Sequence, residues 1–258
     1  MIKIRNLLVR LSFIGTNYHG FQIQKNAVTV QQVFQNALSQ VLGYLPDIKG
    51  CSRTDTGVHA YEYALSTKID DDISENKLQV ALNALLPDDI VVLSICGVEE
   101  DFHARYSCVA KRYRYVIYNN EVMDPFLVGR ALQVKKKIDI GLLNEAAARF
   151  VGTHEFIALS ATKGDLEDTI RTVYNAGITQ DKNIVTFMVT ADGFLYKMVR
   201  IMVGVLLAIN NGKLSIDDID RMLETGIRTK GSSTASPNGL YLDKVFYDLG
   251  EIDEQYSR

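Results

Sequence analysis

The chain has 258 residues, 47% of them hydrophobic and 23% charged, with only four prolines, which gives enough apolar mass for one large domain or two small ones and excludes a disordered or low-complexity protein. A formal net charge of −3 excludes a protein that binds nucleic acid through overall basicity, while leaving room for a local basic face. Cys51, Cys96 and Cys108 are odd in number and contain no CxxC pair, which argues against a disulfide framework or a standard zinc site and fits a reducing, cytoplasmic setting.

The opening MIKIRNLLVRLSFIG resembles a secretory signal at first. Arg10 interrupts the apolar run and no small-residue cleavage site follows, so Ile2 to Ile14 reads as a strand. Gly15, Asn17 and Gly20 mark a loop. Thr29 then opens a helix whose apolar residues, Val30, Val33, Phe34, Ala37, Leu38, Val41 and Leu42, recur at spacings of three and four. A short strand at 47–52, a strand from Tyr61 to Ile69, a helix from the N-cap Ser74 to Leu86 before Pro87, and a strand from Ile90 to Val98 follow. The order βαββαβ is the ferredoxin-like pattern. The remainder predicts a strand at Lys111–Tyr118 and a helix at Ile138–Val151. Next come strands at Ile170–Thr179 and Asn183–Thr190 around a Gln180–Asp181–Lys182 turn. Helices at Leu195–Ile209 and 216–225 and a strand at Leu242–Leu249 complete it. The second half therefore repeats the topology of the first, with a boundary at 105/106 and a cleft expected between halves 1–105 and 106–258. The most apolar helix, near 195–210, carries Lys197 and Arg200 and is too short for a bilayer, so no membrane partner is expected.

Three places carry candidate chemistry. The first is CSRTDTGVHA, Cys51 to Ala60. A loop aspartate such as Asp55 commonly bonds its own backbone in a turn. With Arg53 two positions away and Gly57 allowing a tight backbone, it is alternatively a carboxylate kept ionised for use as nucleophile or base. His59, at a strand entrance, reads more simply as a satisfied polar residue. The four histidines are scattered with no HxxxH spacing, so no metal is expected. The second place is the helix from Leu195, apolar nearly all round yet with Lys197, Arg200 and Gly204 on one stripe. Arg200 either pairs with an acid, for which Asp55 is a candidate, or reaches solvent or a structural acid. The third is FHARYSCVAKRYRY, Phe102 to Tyr115, where Arg105, Lys111, Arg112 and Arg114 alternate with Phe102, Tyr106, Tyr113 and Tyr115. Cations for phosphates and rings for unpaired bases suit RNA, although the same pattern makes a half-solvated strand.

Together these segments resemble the tRNA pseudouridine synthase A family. YHGFQIQ at 18–24, SRTDTGVHA at 52–60, FHARYS at 102–107, KRYRY at 111–115, GTHEF at 152–156, FLYKMVR at 194–200 and SPNGLYL at 236–242 follow the family's order. Ser52 stands where the family commonly has glycine, and Ser236 where alanine is usual. The resemblance implies an α+β fold of two ferredoxin-like halves sharing an extended antiparallel sheet, with helices on one side. It implies isomerisation of uridine to pseudouridine at positions 38, 39 and 40 of the tRNA anticodon stem-loop, without cofactor, by a homodimer. It implies Asp55 as the essential carboxylate and Arg200 as its ion-pair partner. Tyr113 is then the active-site tyrosine packed on the flipped uracil, and Arg53 and Arg105 hold the displaced strand. Two rivals stay open: a non-catalytic RNA-binding module in which Asp55 is a turn residue, and a hydrolase using Asp55 as nucleophile.

Overall fold

The computed structural model describes residues 4–162 and 168–252. Two compact units divide these residues. One takes the chain up to Val109 and again from Tyr241, and the other runs from Ala110 to Leu240.

The first unit contains β1 (Arg5–Phe13), α1 (Val30–Leu42), β2 (Ile48–Gly50), β3 (His59–Ile69), α2 (Glu75–Leu85) and β4 (Ile90–Val98), in the βαββαβ order expected. The strand predicted from Ile2 begins at Arg5, its first residues lying outside the described ones. Antiparallel pairing places β1 between β4 and β3, and β2 pairs with the far edge of β3 at Leu65–Thr67. The Thr29 hydroxyl accepts the Gln32 amide at 3.3 Å to cap α1, and Gly43, left-handed at φ 78°, ends it. Ser74 stands at the N-cap of α2 without a capping bond from its side chain. Val30, Phe34, Ala37 and Leu38 of α1 and Leu78 and Leu82 of α2 are buried and join the apolar residues of β1 and β3 in the core. The rings of Phe21 and Tyr63 stack at 4.0 Å between centroids, fastening the segment before α1 to β3.

The closing strand β10 (Leu240–Phe246) was expected with the second half. From Tyr241 onward it belongs instead to the first unit, pairing in parallel with β3 at Tyr241↔His59 and Leu242↔Ala60. The Tyr241 ring stacks on His59 at 4.5 Å and on Tyr61 at 4.9 Å, which holds that register. A contact this remote in sequence leaves no local signal.

The second unit contains β5 (Ala110–Tyr118), β6 (Leu132–Gln133), α3 (Ile140–Ala148), β7 (Gly152–Glu155), β8 (Ile170–Asp181), β9 (Ile184–Ala191), α4 (Met198–Asn210) and α5 (Asp217–Thr225). The strands follow the order β5-β9-β8-β7, all antiparallel, with β6 added in parallel to β5. The β8–β9 turn falls one position later than the sequence pattern placed it, at Lys182–Asn183. Asp181 already pairs with Ile184, and Lys182 supplies the positive φ of 53° that a two-residue hairpin loop requires. The edge strand β7 and the two-residue β6 went unanticipated, because GTHE and LQ are too short to show alternation.

Helix α4 starts at Met198, three residues later than its apolar pattern suggests. Lys197 adopts φ 60°, outside the helix, and its ammonium lies 4.8 Å from the Tyr196 ring centroid. Buried residues surround the helix on nearly every side. Gly204 allows a close approach by the loop after α5. A side-chain carbon there would sit 1.6 Å from the Ser233 carbonyl oxygen. Among the described residues no helix is long and apolar enough to cross a membrane.

Candidate active site

The loop between β2 and β3 holds Asp55 by its main chain. The Thr54 carbonyl accepts the Phe21 amide at 3.3 Å, the Asp55 carbonyl accepts Val58 N–H at 3.1 Å, and Gly57 N–H donates to the Tyr18 carbonyl at 3.2 Å. Gly57 adopts φ 77°, so the tight turn inferred from its position is present. Upstream, Cys51 N–H bonds the Ala64 carbonyl at 2.9 Å, while the Tyr63 hydroxyl donates to the Ser52 carbonyl and accepts the Ser52 amide. Ser52 is thus tied at both main-chain groups. Downstream, buried His59 accepts Gly15 N–H on Nδ1 at 2.9 Å, which leaves its ring proton on Nε2. His59 is therefore a packing and positioning residue of the loop, in keeping with the simpler reading of its sequence position. The Asp55 side chain emerges half-buried from this fixed turn, between exposed Arg53 and exposed Thr56.

Arg53 and Arg105 are brought together on one groove of about 390 Å³ within the first unit. Arg105 follows His103 in a turn whose backbone is pinned by Ser107 N–H to the His103 carbonyl at 2.9 Å. Its guanidinium carbon lies 5.8 Å from the centre of the exposed Tyr106 ring.

In the second unit, β5 alternates as its sequence suggested: Tyr113, Tyr115 and Ile117 are buried, and Arg112 and Arg114 occupy the other face. Tyr113 is only 7% exposed and meets Phe194 edge-on at 5.0 Å between centroids. The Tyr115 hydroxyl donates to the Ser236 carbonyl at 2.8 Å. Burial holds the Tyr115 phenol well above its ordinary range, and the Arg200 guanidinium nearby pulls it partly back. Arg200, in the first turn of α4, donates from Nε to the Ala235 carbonyl at 2.8 Å, and its own carbonyl accepts Ala235 N–H at 3.0 Å. The arginine thus clamps the 233–236 loop to α4, a main-chain partner that the sequence reading had not considered.

Comparison with known proteins is decisive at this point. Residues 11–107 and 146–248 match the tRNA pseudouridine synthase family. The chain is 43% identical over 244 residues to tRNA pseudouridine synthase A of Thermoanaerobacter sp. strain X514, covering 95% of this chain and 100% of that one. This chain belongs to the tRNA pseudouridine synthase family. The same-named proteins of Ruminiclostridium cellulolyticum and Staphylococcus aureus strain MRSA252 are 42% and 38% identical, each over 95% of this chain and over 100% and 93% of their own lengths. A chain of a solved Cbf5-Nop10-Gar1 complex aligns with 91% of this chain and 57% of its own at a TM-score of 0.34 and 10% identity, too distant to bear on the argument.

Synthases of this family are isomerases that convert uridine to pseudouridine, so the enzyme class read from the motifs stands. Asp55, Arg53, Arg105 and Arg200 fall inside the family-matched segments, whereas Tyr113 lies between them. The sequence does not show the contacts by which Tyr18, Tyr63 and Gly15 hold the Asp55 loop, or by which Phe194, Ala235 and Ser236 meet Tyr113, Arg200 and Tyr115. Of these, Gly15, Tyr18, Phe194 and Ser236 sit in or beside segments already singled out. Their roles are main-chain or apolar contacts that no residue type advertises.

Proposed function

We propose that this chain isomerises uridine to pseudouridine at positions 38, 39 and 40 of the tRNA anticodon stem-loop, with Asp55 as the essential carboxylate. The observation that carries the reading is the Asp55 turn itself: a main chain bonded at Thr54, Asp55 and Gly57 that presents one half-exposed carboxylate inside the segment matched to the synthase family. Isomerisation breaks the N1–C1′ bond, turns the base, joins C5 to C1′, releases the C5 proton and leaves a proton on N1. The overall change needs no added reactant, so positioning and one activated carboxylate suffice. Arg200 serves as the ion-pair partner of that carboxylate, Tyr113 packs on the extruded uracil and assists removal of the C5 proton, and Arg53 and Arg105 grip the displaced strand. The same reading places the enzyme in the cytoplasm as a homodimer, whose paired basic faces offset the acidic net charge.

Tritium release from tRNA carrying C5-tritiated uridine tests the reading. Bond formation at C5 must free the label. Label released without strand cleavage or free uracil supports the isomerase. Free uracil or cut RNA would instead favour the hydrolase, and binding without release the RNA-binding module.

A further inference from the structure

The groove that joins Arg53 to Arg105 has a consistent chemistry. Arg5, Arg10, Arg149, Arg171 and Arg221 each pair with an acid. The guanidiniums of Arg53 and Arg105 form no ion pair or hydrogen bond among the described residues. The one carboxylate lining the groove, Asp47, lies 2.6 Å from the Lys49 ammonium, also on the groove. Two of its other polar groups, Gln31 and His103, present donors. Gln31 spends its oxygen on Ile23 N–H at 3.3 Å, which leaves the NH₂ end. His103 spends Nδ1 on the backbone N–H groups of Arg105 at 3.0 Å and Tyr106 at 3.4 Å, which puts its proton on Nε2. A groove with positive charge from Arg53, Arg105 and Lys49 and with donors at Gln31 and His103 is complementary to phosphodiester oxygens.

At its rim Tyr106 is 78% exposed, yet it is held in place: its ring lies 4.4 Å from the His103 ring, and the turn beneath is fastened by His103 N–H to the Ser107 hydroxyl at 3.1 Å. A positioned, exposed ring beside cations is a stacking surface for an unpaired base. The volume of about 390 Å³ is room for a single nucleotide. Arg53 is two residues from Asp55, a span of at most about 7 Å, which sets the groove beside the carboxylate.

We infer that this groove is a subsite for one unpaired nucleotide flanking the target uridine, its phosphodiester held by Arg53 and Arg105 and its base stacked on Tyr106. This rests on the isomerase reading for the identity of the RNA, but its binding chemistry stands apart from turnover. The test uses the full chain with a fluorescent anticodon stem-loop RNA, measuring Kd by anisotropy and KM and kcat by tritium release. Tyr106→Ala should raise Kd and KM about 10-fold with kcat within about 2-fold, and Tyr106→Phe should restore both. An RNA made abasic at one nucleotide adjacent to the target should lose about the same factor with the wild-type chain and lose nothing more with Tyr106→Ala. Wild-type Kd and KM in Tyr106→Ala, alongside normal tritium release, would overturn the subsite and leave the isomerase reading intact. Weakened binding in Tyr106→Ala with no tritium released even by wild type would uphold the subsite and overturn the isomerase reading.

Discussion

The Asp55 loop with its groove and the β5–α4 cluster of the second unit handle charge in opposite ways. In the first, main-chain bonds from Tyr18, Phe21 and Val58 define the turn, and the guanidiniums of Arg53 and Arg105 form no ion pair or hydrogen bond among the described residues. In the second, the side chains are themselves the scaffold: Arg200 ties Ala235, Tyr115 ties Ser236, and Tyr113 packs on Phe194. Where the backbone carries the geometry, a charged side chain is available to a ligand. Where side chains carry it, function and stability change together.

That contrast is most sharply broken or upheld at Asp55. Asp55→Asn keeps the size and the main-chain bonds, so tritium release should fall by about 10⁴-fold while tRNA affinity stays within a few-fold. Retained turnover would return Asp55 to a turn residue. The opposite outcome is expected at Gly204, where a methyl group would meet the Ser233 carbonyl at 1.6 Å. Gly204→Ala should cost about 3 kcal/mol in urea unfolding and lower activity in parallel, by displacing the loop that Arg200 clamps.

A smaller effect appears at alkaline pH. Burial raises the phenols of Tyr115, Tyr18 and Tyr247 well above the ordinary 10.0, so the unfolded chain loses those protons first. Above pH 10 the folded state binds more protons than the unfolded one, and stability falls as pH rises; below pH 10 these groups contribute no slope. Tyr115→Phe should flatten that fall and cost about 1 kcal/mol at neutral pH by leaving the Ser236 carbonyl without its donor, both read from urea midpoints across pH. The smallest change is expected from Arg53→Gln. With no partner to lose, its melting temperature should match wild type, while RNA affinity drops a few-fold and the salt dependence of log Kd falls by about 0.7 per lost contact. A destabilised Arg53→Gln would erase the distinction between the two regions.

Much of the first unit was legible because its elements carry local signals. The Thr29 cap, the three-and-four spacing after it, Pro87, and the β-branched, partly alternating run of β1 each act within a few residues. The α4 boundary misled because Lys197, a good helix former by type, takes a left-handed conformation ahead of the helix. The apolar run alone does not register that choice.

The sequence by itself determined the element order, the alternating faces of β5, the glycine turn at Gly57 and, through its ordered motifs, the family and the identity of Asp55 as the carboxylate to test. These depend on periodicity, turn chemistry and residue type, which are local. Only the tertiary structure decided that Tyr241 pairs with His59, that Arg53 and Arg105 share one groove, and that Arg200 grips a carbonyl 35 residues further along. Each joins groups far apart in the chain through main-chain oxygens or packed rings. Every residue has a carbonyl, and the chain order does not say which one a buried donor will find.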